Sequence, residues 1–314
     1  MKITILDSNA LNPGDLSWKP LEEFGSVTVY PRTEQKDVVS RIGDSDAVLL
    51  NKINITEEIL AACPSLRYIG VQATGYNVID LEACRRHNVT VTNVPTYSTA
   101  GVSQLTFAFI LEFACKTAEH SASVMAGDWI KSKDFCYWKH APVELDGKTL
   151  GIFGYGSIGS RVESIAKAFG MRTIVCTRTP NPLIENPVDA EQLFKQSDFL
   201  TLHAPLTEAT RGIVNEKNIS LMKETAVIIN TARGALVDEN AVRKALDTGR
   251  IAGYAADVVS EEPMKADNPL LGAPNCLLTP HIAWAATETR QRLLDIVIAN
   301  IRCFIAGCPQ NVVS

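Results

Sequence analysis

Residues 148–177 read KTLGIFGYGSIGSRVESIAKAFGMRTIVCT, and the reading of this stretch decides the fold. A short apolar run, Thr149 to Phe153, leads into Gly154-Tyr155-Gly156-Ser157-Ile158-Gly159, after which Val162, Ile165, Ala166 and Phe169 recur at helical spacing. The pattern predicts strand, tight turn and helix. Gly154 permits the turn, Gly156 lets a pyrophosphate approach the backbone, and Gly159 lets the helix pack closely on the strand. The unpaired N–H groups at the start of the helix then face the phosphates. Gly170 ends the helix, and Thr173 to Cys176 supplies a second strand. A glycine turn alone is a weak signal; here the elements on both sides agree with it, and the stretch reads as a dinucleotide-binding unit.

The rest of the chain sets bounds on partners and compartment. With 314 residues, 46% of them apolar, it is long enough for two domains with sizeable cores. A net charge of −5 gives no basic face for nucleic acid or an anionic membrane. The start, MKITILDS, enters strand-like alternation with no charged-then-apolar leader, and the most apolar later run, Leu105 to Ala114, is too short to span a bilayer. A cytoplasmic protein is expected. Eight cysteines are scattered without a CxxC pair or a Cys/His cluster, which predicts small buried thiols, no disulfide and no metal site.

Outward from the central stretch, residues 1–92 alternate short apolar runs with helical patterns. The runs are Ile3 to Leu6, Val27 to Tyr30, Ala47 to Leu50, Tyr68 to Val71 and Val89 to Thr92. They predict a small doubly wound α/β unit. Two of its strand ends carry unusual loops, Asn51-Lys52 and Gln72-Ala73-Thr74-Gly75-Tyr76-Asn77, and strand ends are where open α/β sheets bind ligands. The Gly75 turn has two readings: a nest of N–H groups for a carboxylate, or a plain turn before a helix starting near Asn77. For Lys52 alone a solvated lysine is the plainer reading.

Residues 98–126 read as one long helix with Ser98 or Thr99 as N-cap, so apolar through Leu105, Phe107, Phe109, Ile110 and Leu111 that it needs burial on more than one side. After the Trp129 to Trp138 loop and the central stretch, strands Phe199 to Leu202, Ala226 to Asn230, Ala252 to Val258 and Cys276 to Thr279 continue the second sheet. A helix from Asp238 to Thr248 is capped by Asp238 and stopped at Gly249, and a final helix covers Thr287 to Ala306. The fold class is α/β, with two doubly wound parallel-sheet domains, one Rossmann-like and one flavodoxin-like. Residues 1–97 with 286–314 form a substrate-binding domain, and residues 98–285 a dinucleotide-binding domain.

Three consecutive strand ends of the second domain deliver an arginine, a carboxylate and a histidine: Arg233 in Asn230-Thr231-Ala232-Arg233-Gly234, Glu262 after Asp257, and His281 in Thr279-Pro280-His281-Ile282-Ala283-Trp284. Hydride reduction of a 2-oxo acid needs these functions. A cation holds the carboxylate and polarises the carbonyl, an imidazolium protonates the alkoxide, and a carboxylate orients that imidazole. Singly, each residue has a plainer reading as a surface charge or a turn residue; together on neighbouring strand ends they point to chemistry. His87, His120 and His140 lie in polar or helical contexts and read as structural or solvated. His203, in Leu202-His203-Ala204-Pro205, either lines the cofactor cleft or caps a strand end.

These residues carry a resemblance. GKTLGIFGYGSIG, LHAPLT, NTARGALVDE, DVVSEEP and TPHIAWA occur in the order and spacing of the D-isomer-specific 2-hydroxyacid dehydrogenases, and the chain resembles that family over essentially its full length. VQATGYNVID, QLTFAFILE and PHIAWA further resemble its glycerate dehydrogenase, or hydroxypyruvate reductase, branch. The resemblance implies NAD(P)H-dependent reduction of hydroxypyruvate or glyoxylate, with phosphoglycerate or lactate types and a dinucleotide-sensing corepressor as the alternatives. It implies that Arg233 binds substrate, that Glu262 pairs with His281, and that His281 is the proton donor. Cofactor contacts fall on Gly154, Gly156, Ser157, Ile158, Gly159, Thr177, Arg178, His203, Ala204, Pro205, Thr210, Thr231, Ala232, Arg233, Asp257, His281 and Trp284. Substrate contacts fall on Lys52, Ala73, Thr74, Gly75, Arg233 and His281, and a homodimer through the long helix and its neighbours is implied as well. One position departs from the family: where NAD-using members end the second strand with an aspartate, this chain has Thr177-Arg178-Thr179. The carboxylate that repels a 2′-phosphate is missing and an arginine stands beside its place, so the expectation leans to NADP(H).

Overall fold

The computed structural model describes all 314 residues. In chain order the elements are β1 (Lys2–Ile5), β2 (Ser26–Val29), α1 (Val38–Ile42), β3 (Ala47–Leu50), α2 (Glu57–Ala62), β4 (Tyr68–Val71), α3 (Leu81–Arg86) and β5 (Thr90–Thr92). There follow α4 (Thr99–Cys115), α5 (Thr117–Met125), β6 (Thr149–Phe153), α6 (Ser157–Ala168), β7 (Arg172–Cys176), α7 (Ala190–Gln196) and β8 (Phe199–Leu202). The chain ends with α8 (Glu216–Ile219), β9 (Val227–Asn230), α9 (Glu239–Asp247), β10 (Gly253–Ala256), β11 (Cys276–Leu278) and α10 (Thr287–Ile305). It divides into two compact units, Met1–Ser98 with Trp284–Ser314, and Thr99–Ala283.

The first unit is a five-stranded parallel sheet in the order β2-β1-β3-β4-β5. Its middle strands β3 and β4 are buried along their whole length, which is why AVLL and YIGV read as continuous apolar runs rather than alternating ones. One face is covered by a cluster that includes Val48, Leu50, Ile59, Ile69 and Ala83. On the other, Ile3, Ile5, Leu49 and Tyr68 pack with Leu293, Leu294, Val297 and Ile301 of α10. The helix expected near Asn77 begins later, at Leu81, because the Asp80 carboxylate accepts the Ala83 N–H at 2.9 Å and so caps the chain there. Residues 77 and 78 form a turn instead.

The second unit is a six-stranded parallel sheet in the order β11-β10-β9-β8-β6-β7. The order reverses between β6 and β8, which puts a crevice at their C-terminal ends. The single helix expected over residues 98–126 is two. Lys116 takes φ +50° and ψ +41°, the left-handed region, so the chain breaks there and restarts as α5. Within α4, Phe107, Phe109, Ile110 and Phe113 are buried, and Phe107 stacks on Phe169 with ring centroids 5.6 Å apart. Helix α9 starts where Asp238 accepts the Asn240 and Ala241 N–H groups, and it closes before Gly249. β10 is shorter than the Ala252 to Val258 run, because from Asp257 onward the chain turns into the rim described next. The thiols also differ from expectation: Cys63 and Cys84 are buried, but Cys115 at the end of α4 and Cys136 and Cys308 in loops are exposed; all eight are free. No helix is long and apolar enough to cross a membrane.

Candidate active site

The glycine loop after β6 is built from close contacts. Gly154 has φ +94°, and a Cβ there would stand 2.6 Å from the Ala204 nitrogen, so only glycine lets this turn lie against the loop after β8. A Cβ on Gly159 would meet the Gly154 carbonyl oxygen at 2.4 Å, while one on Gly156 would meet nothing within 4 Å. The Gly156 side of the loop is therefore open to a ligand, and it leads into the twelve-residue α6, whose first turn has no side-chain cap. Ser157 is exposed, with its hydroxyl 3.2 Å from that of Thr99, and Ile158 packs against the core under the loop.

A feature that sequence reasoning passed over braces this loop. Tyr155 donates to the Glu163 carboxylate of α6, which is 5% exposed and also accepts from the Thr173 hydroxyl at 3.0 Å and pairs with Lys167 at 3.3 Å. Burial, and then the neighbouring carboxylate, push the Tyr155 phenol up to about 12. The signal was present in the spacing: Glu163 shares the buried stripe of α6 with Gly159, Val162 and Ala166, and an acid at a core position needs partners.

Across the crevice, the His203 N–H donates to the Phe153 carbonyl at 2.7 Å. Its side chain caps no strand end. Both ring nitrogens are shut off from solvent without a partner, and burial drives the imidazole down to about 3, so it is neutral at any ordinary pH. Ala204 is buried and Pro205 exposed, and the Thr210 hydroxyl fixes their loop by donating to the Pro205 carbonyl at 2.7 Å. At the end of β7, Thr177 is half-buried and Arg178 exposed, with no ion pair or hydrogen bond to hold the guanidinium. The open Gly156 turn and the uncapped helix are what a bound dinucleotide would use.

The rim at β9, β10 and β11 is tied together by side chains. After β9, the Asn230 amide accepts the Ala232 N–H and donates to the Arg233 carbonyl, at 3.0 and 2.9 Å, folding the turn that leaves Arg233 exposed. Thr231 is buried, and its hydroxyl lies 3.1 Å from that of Thr106 on α4. After β11, the His281 imidazole Nδ1 lies 2.7 Å from Glu262 Oε2, while Glu262 Oε1 accepts the Val259 N–H at 3.3 Å. His281 has φ +56°, a backbone conformation that costs a non-glycine residue about 1–2 kcal/mol. The Asp257 carboxylate holds it there, accepting from the Thr279 hydroxyl at 2.5 Å and from the Ile282 and Ala283 N–H groups at 2.8 Å each. Expected among the groups around the nicotinamide, Asp257 is 1% exposed and turned to the protein. Trp284 belongs to the first unit, where it packs against the cluster that includes Leu293 and Val297.

The other expected substrate contacts also lie in the first unit. Buried Asp7 accepts the Asn51 N–H at 2.9 Å and the Lys52 N–H at 2.8 Å, which shapes the loop carrying exposed Lys52; burial pushes the Asp7 carboxyl up from its ordinary range. Thr74 is tied down through its hydroxyl to Val94 and its carbonyl to Asn93, both at 2.8 Å. The N–H groups of Thr74, Gly75 and Tyr76 donate to no group in the chain.

Comparison with known proteins identifies the family. Residues 107–283 match the model of the NAD-binding domain of D-isomer-specific 2-hydroxyacid dehydrogenases. A hydroxypyruvate reductase of Blautia hydrogenotrophica is 46% identical, the alignment covering 100% of both chains. A glycerate dehydrogenase of Methylorubrum extorquens is 36% identical over 99% of this chain and 98% of its own. Among solved structures, an acyclic imino acid reductase in complex with NADPH and D-Arg superimposes with a TM-score of 0.88 at 32% identity, covering 100% of each chain. The chain is an oxidoreductase with a nicotinamide dinucleotide cofactor, and it belongs to the family of D-isomer-specific 2-hydroxyacid dehydrogenases.

Proposed function

We propose that this enzyme reduces hydroxypyruvate, and with it glyoxylate, to D-glycerate and glycolate. The observation that carries the reading is the Glu262–His281 pair at 2.7 Å on the strand-end rim that also presents Arg233. The names of the full-length relatives support the substrate class.

When bound, the reduced nicotinamide supplies a hydride to the 2-carbon of the oxo acid. Arg233 holds the substrate carboxylate and polarises the carbonyl; its Nη1 already donates to the Ala232 carbonyl at 2.7 Å, which fixes the guanidinium without neutralising it. His281 donates the proton from Nε2 to the carbonyl oxygen as that oxygen gains charge, and Glu262 at Nδ1 keeps the ring oriented. One hydride and one proton convert the 2-oxo acid to the 2-hydroxy acid. The reading also gives substrate-carboxylate contacts to Lys52 and to the N–H groups of Ala73, Thr74 and Gly75, supported by the absence of other acceptors for the Thr74 and Gly75 N–H groups.

For the cofactor we assign a preference for NADPH, or at least tolerance of it. Thr177 carries no charge to repel a 2′-phosphate, and the unengaged Arg178 is free to bind one. We assign a homodimer, supported by the exposed apolar side chains of Met125, Trp129, Ile130, Phe135 and Trp138, crowded into one short segment. A cytoplasmic setting suits its need for reduced cofactor and its eight free thiols.

The test is a panel of 2-oxo acids assayed with both reduced cofactors, repeated with His281→Ala. The expected result is best turnover of hydroxypyruvate and a kcat at least about 10²-fold lower in the variant, with cofactor binding, followed by nicotinamide fluorescence, far less affected than kcat. A variant rate close to wild type would remove the assigned proton donor.

A further inference from the structure

The Glu262 arm is held from behind by a residue to which neither the motifs nor the family resemblance gave a role. Glu239 opens α9 and is 7% exposed. Its Oε1 accepts the Ser260 N–H at 2.7 Å, and its Oε2 accepts the Ser260 hydroxyl at 2.7 Å and the Asn268 amide at 2.9 Å. Ser260 follows Val259, whose own N–H grips Glu262 Oε1. The same dipeptide is pressed against the Arg233 turn: a Cβ on Gly234 would stand 1.9 Å from the Val259 carbonyl carbon and 2.4 Å from the Ser260 nitrogen. Residues 259–260 are thus wedged between the Arg233 turn and the Glu239 carboxylate, and Glu262 reaches His281 from that fixed point. An acid in the first turn of a helix ordinarily faces solvent and the helix dipole. Glu239 instead lies on the buried stripe with Val242 and Leu246, where three hydrogen bonds replace its water.

We propose that Glu239 is a positioning residue for proton delivery: by clamping Ser260 it sets the Glu262–His281 geometry, without contact to substrate or cofactor. The inference rests on the reading of His281 as proton donor and Glu262 as its partner. Loss of a remote support that shifts a reacting group by about 1 Å lowers rate by up to about 10²-fold.

The test uses the full-length enzyme with Glu239→Ala, Glu239→Gln, Ser260→Ala, Glu262→Gln and the Glu239→Ala/Glu262→Gln double variant, each checked for its melting temperature. Glu239→Ala is expected to lower kcat for hydroxypyruvate reduction by about 10- to 100-fold, leaving the dissociation constant of the reduced cofactor within about twofold and raising the solvent isotope effect on kcat as proton transfer becomes slower. Glu239→Gln, which keeps an acceptor for the Ser260 N–H, should recover most of the rate. Should Glu239→Ala fail to fold, Ser260→Ala, losing one of the three bonds, is expected to show the same split more weakly. In the Glu262→Gln background Glu239→Ala should add little, because it acts through Glu262. Additive losses in the double variant, or an unchanged kcat in folded Glu239→Ala beside a damaged Glu262→Gln, would overturn the positioning role. A Glu262→Gln enzyme with wild-type rate would overturn the underlying reading instead.

Discussion

Half-buried His203, whose ring nitrogens are shut off from solvent, makes the fold acid-sensitive. Its imidazole has an ordinary value of 6.5 and a folded-state value of about 3, set by burial. Above the ordinary value both folded and unfolded chains hold the ring neutral, and the group adds no pH dependence. Below it the unfolded chain takes up a proton that the folded chain refuses, so stability falls as pH falls. Each unit of this interval is worth about 1.4 kcal/mol. Lowering the pH from about 7.5 to about 5 therefore removes about 2 kcal/mol through this one residue, against a typical total of about 5–15 kcal/mol. Replacing it by glutamine, His203→Gln, keeps a neutral polar side chain that does not titrate. Urea unfolding of the cofactor-free enzyme at the two pH values, for wild type and variant, isolates the effect as a difference of differences, in which the other titrating groups cancel. The variant should lose about 2 kcal/mol less than wild type over this interval. Equal losses in the two proteins would show that the ring accepts a proton in the folded state, and the account of its burial would be wrong.

The remaining predictions concern cofactor, assembly and local stability. Thr177→Asp should lower kcat/KM for NADPH by about 10-fold or more, the size of one ~1.4 kcal/mol contact, and Arg178→Ala should weaken NADPH while leaving NADH nearly unchanged; a wild type that strongly prefers NADH, with Arg178→Ala affecting neither cofactor, would make this arginine ordinary surface charge. Introducing charge at the two most exposed apolar positions of the assigned dimer face, Ile130→Asp with Phe135→Asp, should give a monomer in light scattering with the melting temperature of the individual units retained; an unchanged mass would place the subunit contact elsewhere. Asp238→Ala should cost about 1 kcal/mol in urea unfolding, because two N–H groups of α9 lose their acceptor.

The sheets were legible in the sequence because parallel strands buried on both faces leave short uninterrupted apolar runs, as in Ala47 to Leu50 and Thr149 to Phe153. The break at Lys116 was not, since lysine has no preference for the left-handed region, and apolar spacing on either side continues as if the helix were whole. Asp80 shows the opposite case: its side chain competes with the upstream turn for the role of cap, and only the observed bond to Ala83 decides where α3 starts. At the candidate site, the residues that would touch ligand stood out because they interrupt strand ends. Of the residues that hold them, Glu163 and Glu239 carried no role in the sequence reading and Asp257 was expected at the nicotinamide; all three are buried and bonded to the protein. For Glu163 and Glu239 the spacing carried a usable sign, because each falls in phase with the apolar stripe of its own helix.

The path of the chain through the first unit has a consequence for synthesis. That unit is assembled from both ends of the polypeptide, with all of Thr99–Ala283 lying between them in sequence. When residues 1–98 leave the ribosome, the sheet face carrying Ile3, Ile5, Leu49 and Tyr68 has no cover, because Leu293, Leu294, Val297 and Ile301 have not yet been made. The strand edge at β5 waits still longer: its Val91 carbonyl receives the Val313 N–H, and its Thr92 bridges Val312. The second unit has no such debt to later residues, so the part of the protein translated in the middle is the first able to complete its fold. During that interval the early strands present an apolar face and an unpaired edge to solvent, the two features that chaperones bind and that aggregation exploits. Residues 284–314 therefore close the first unit in time as well as in space.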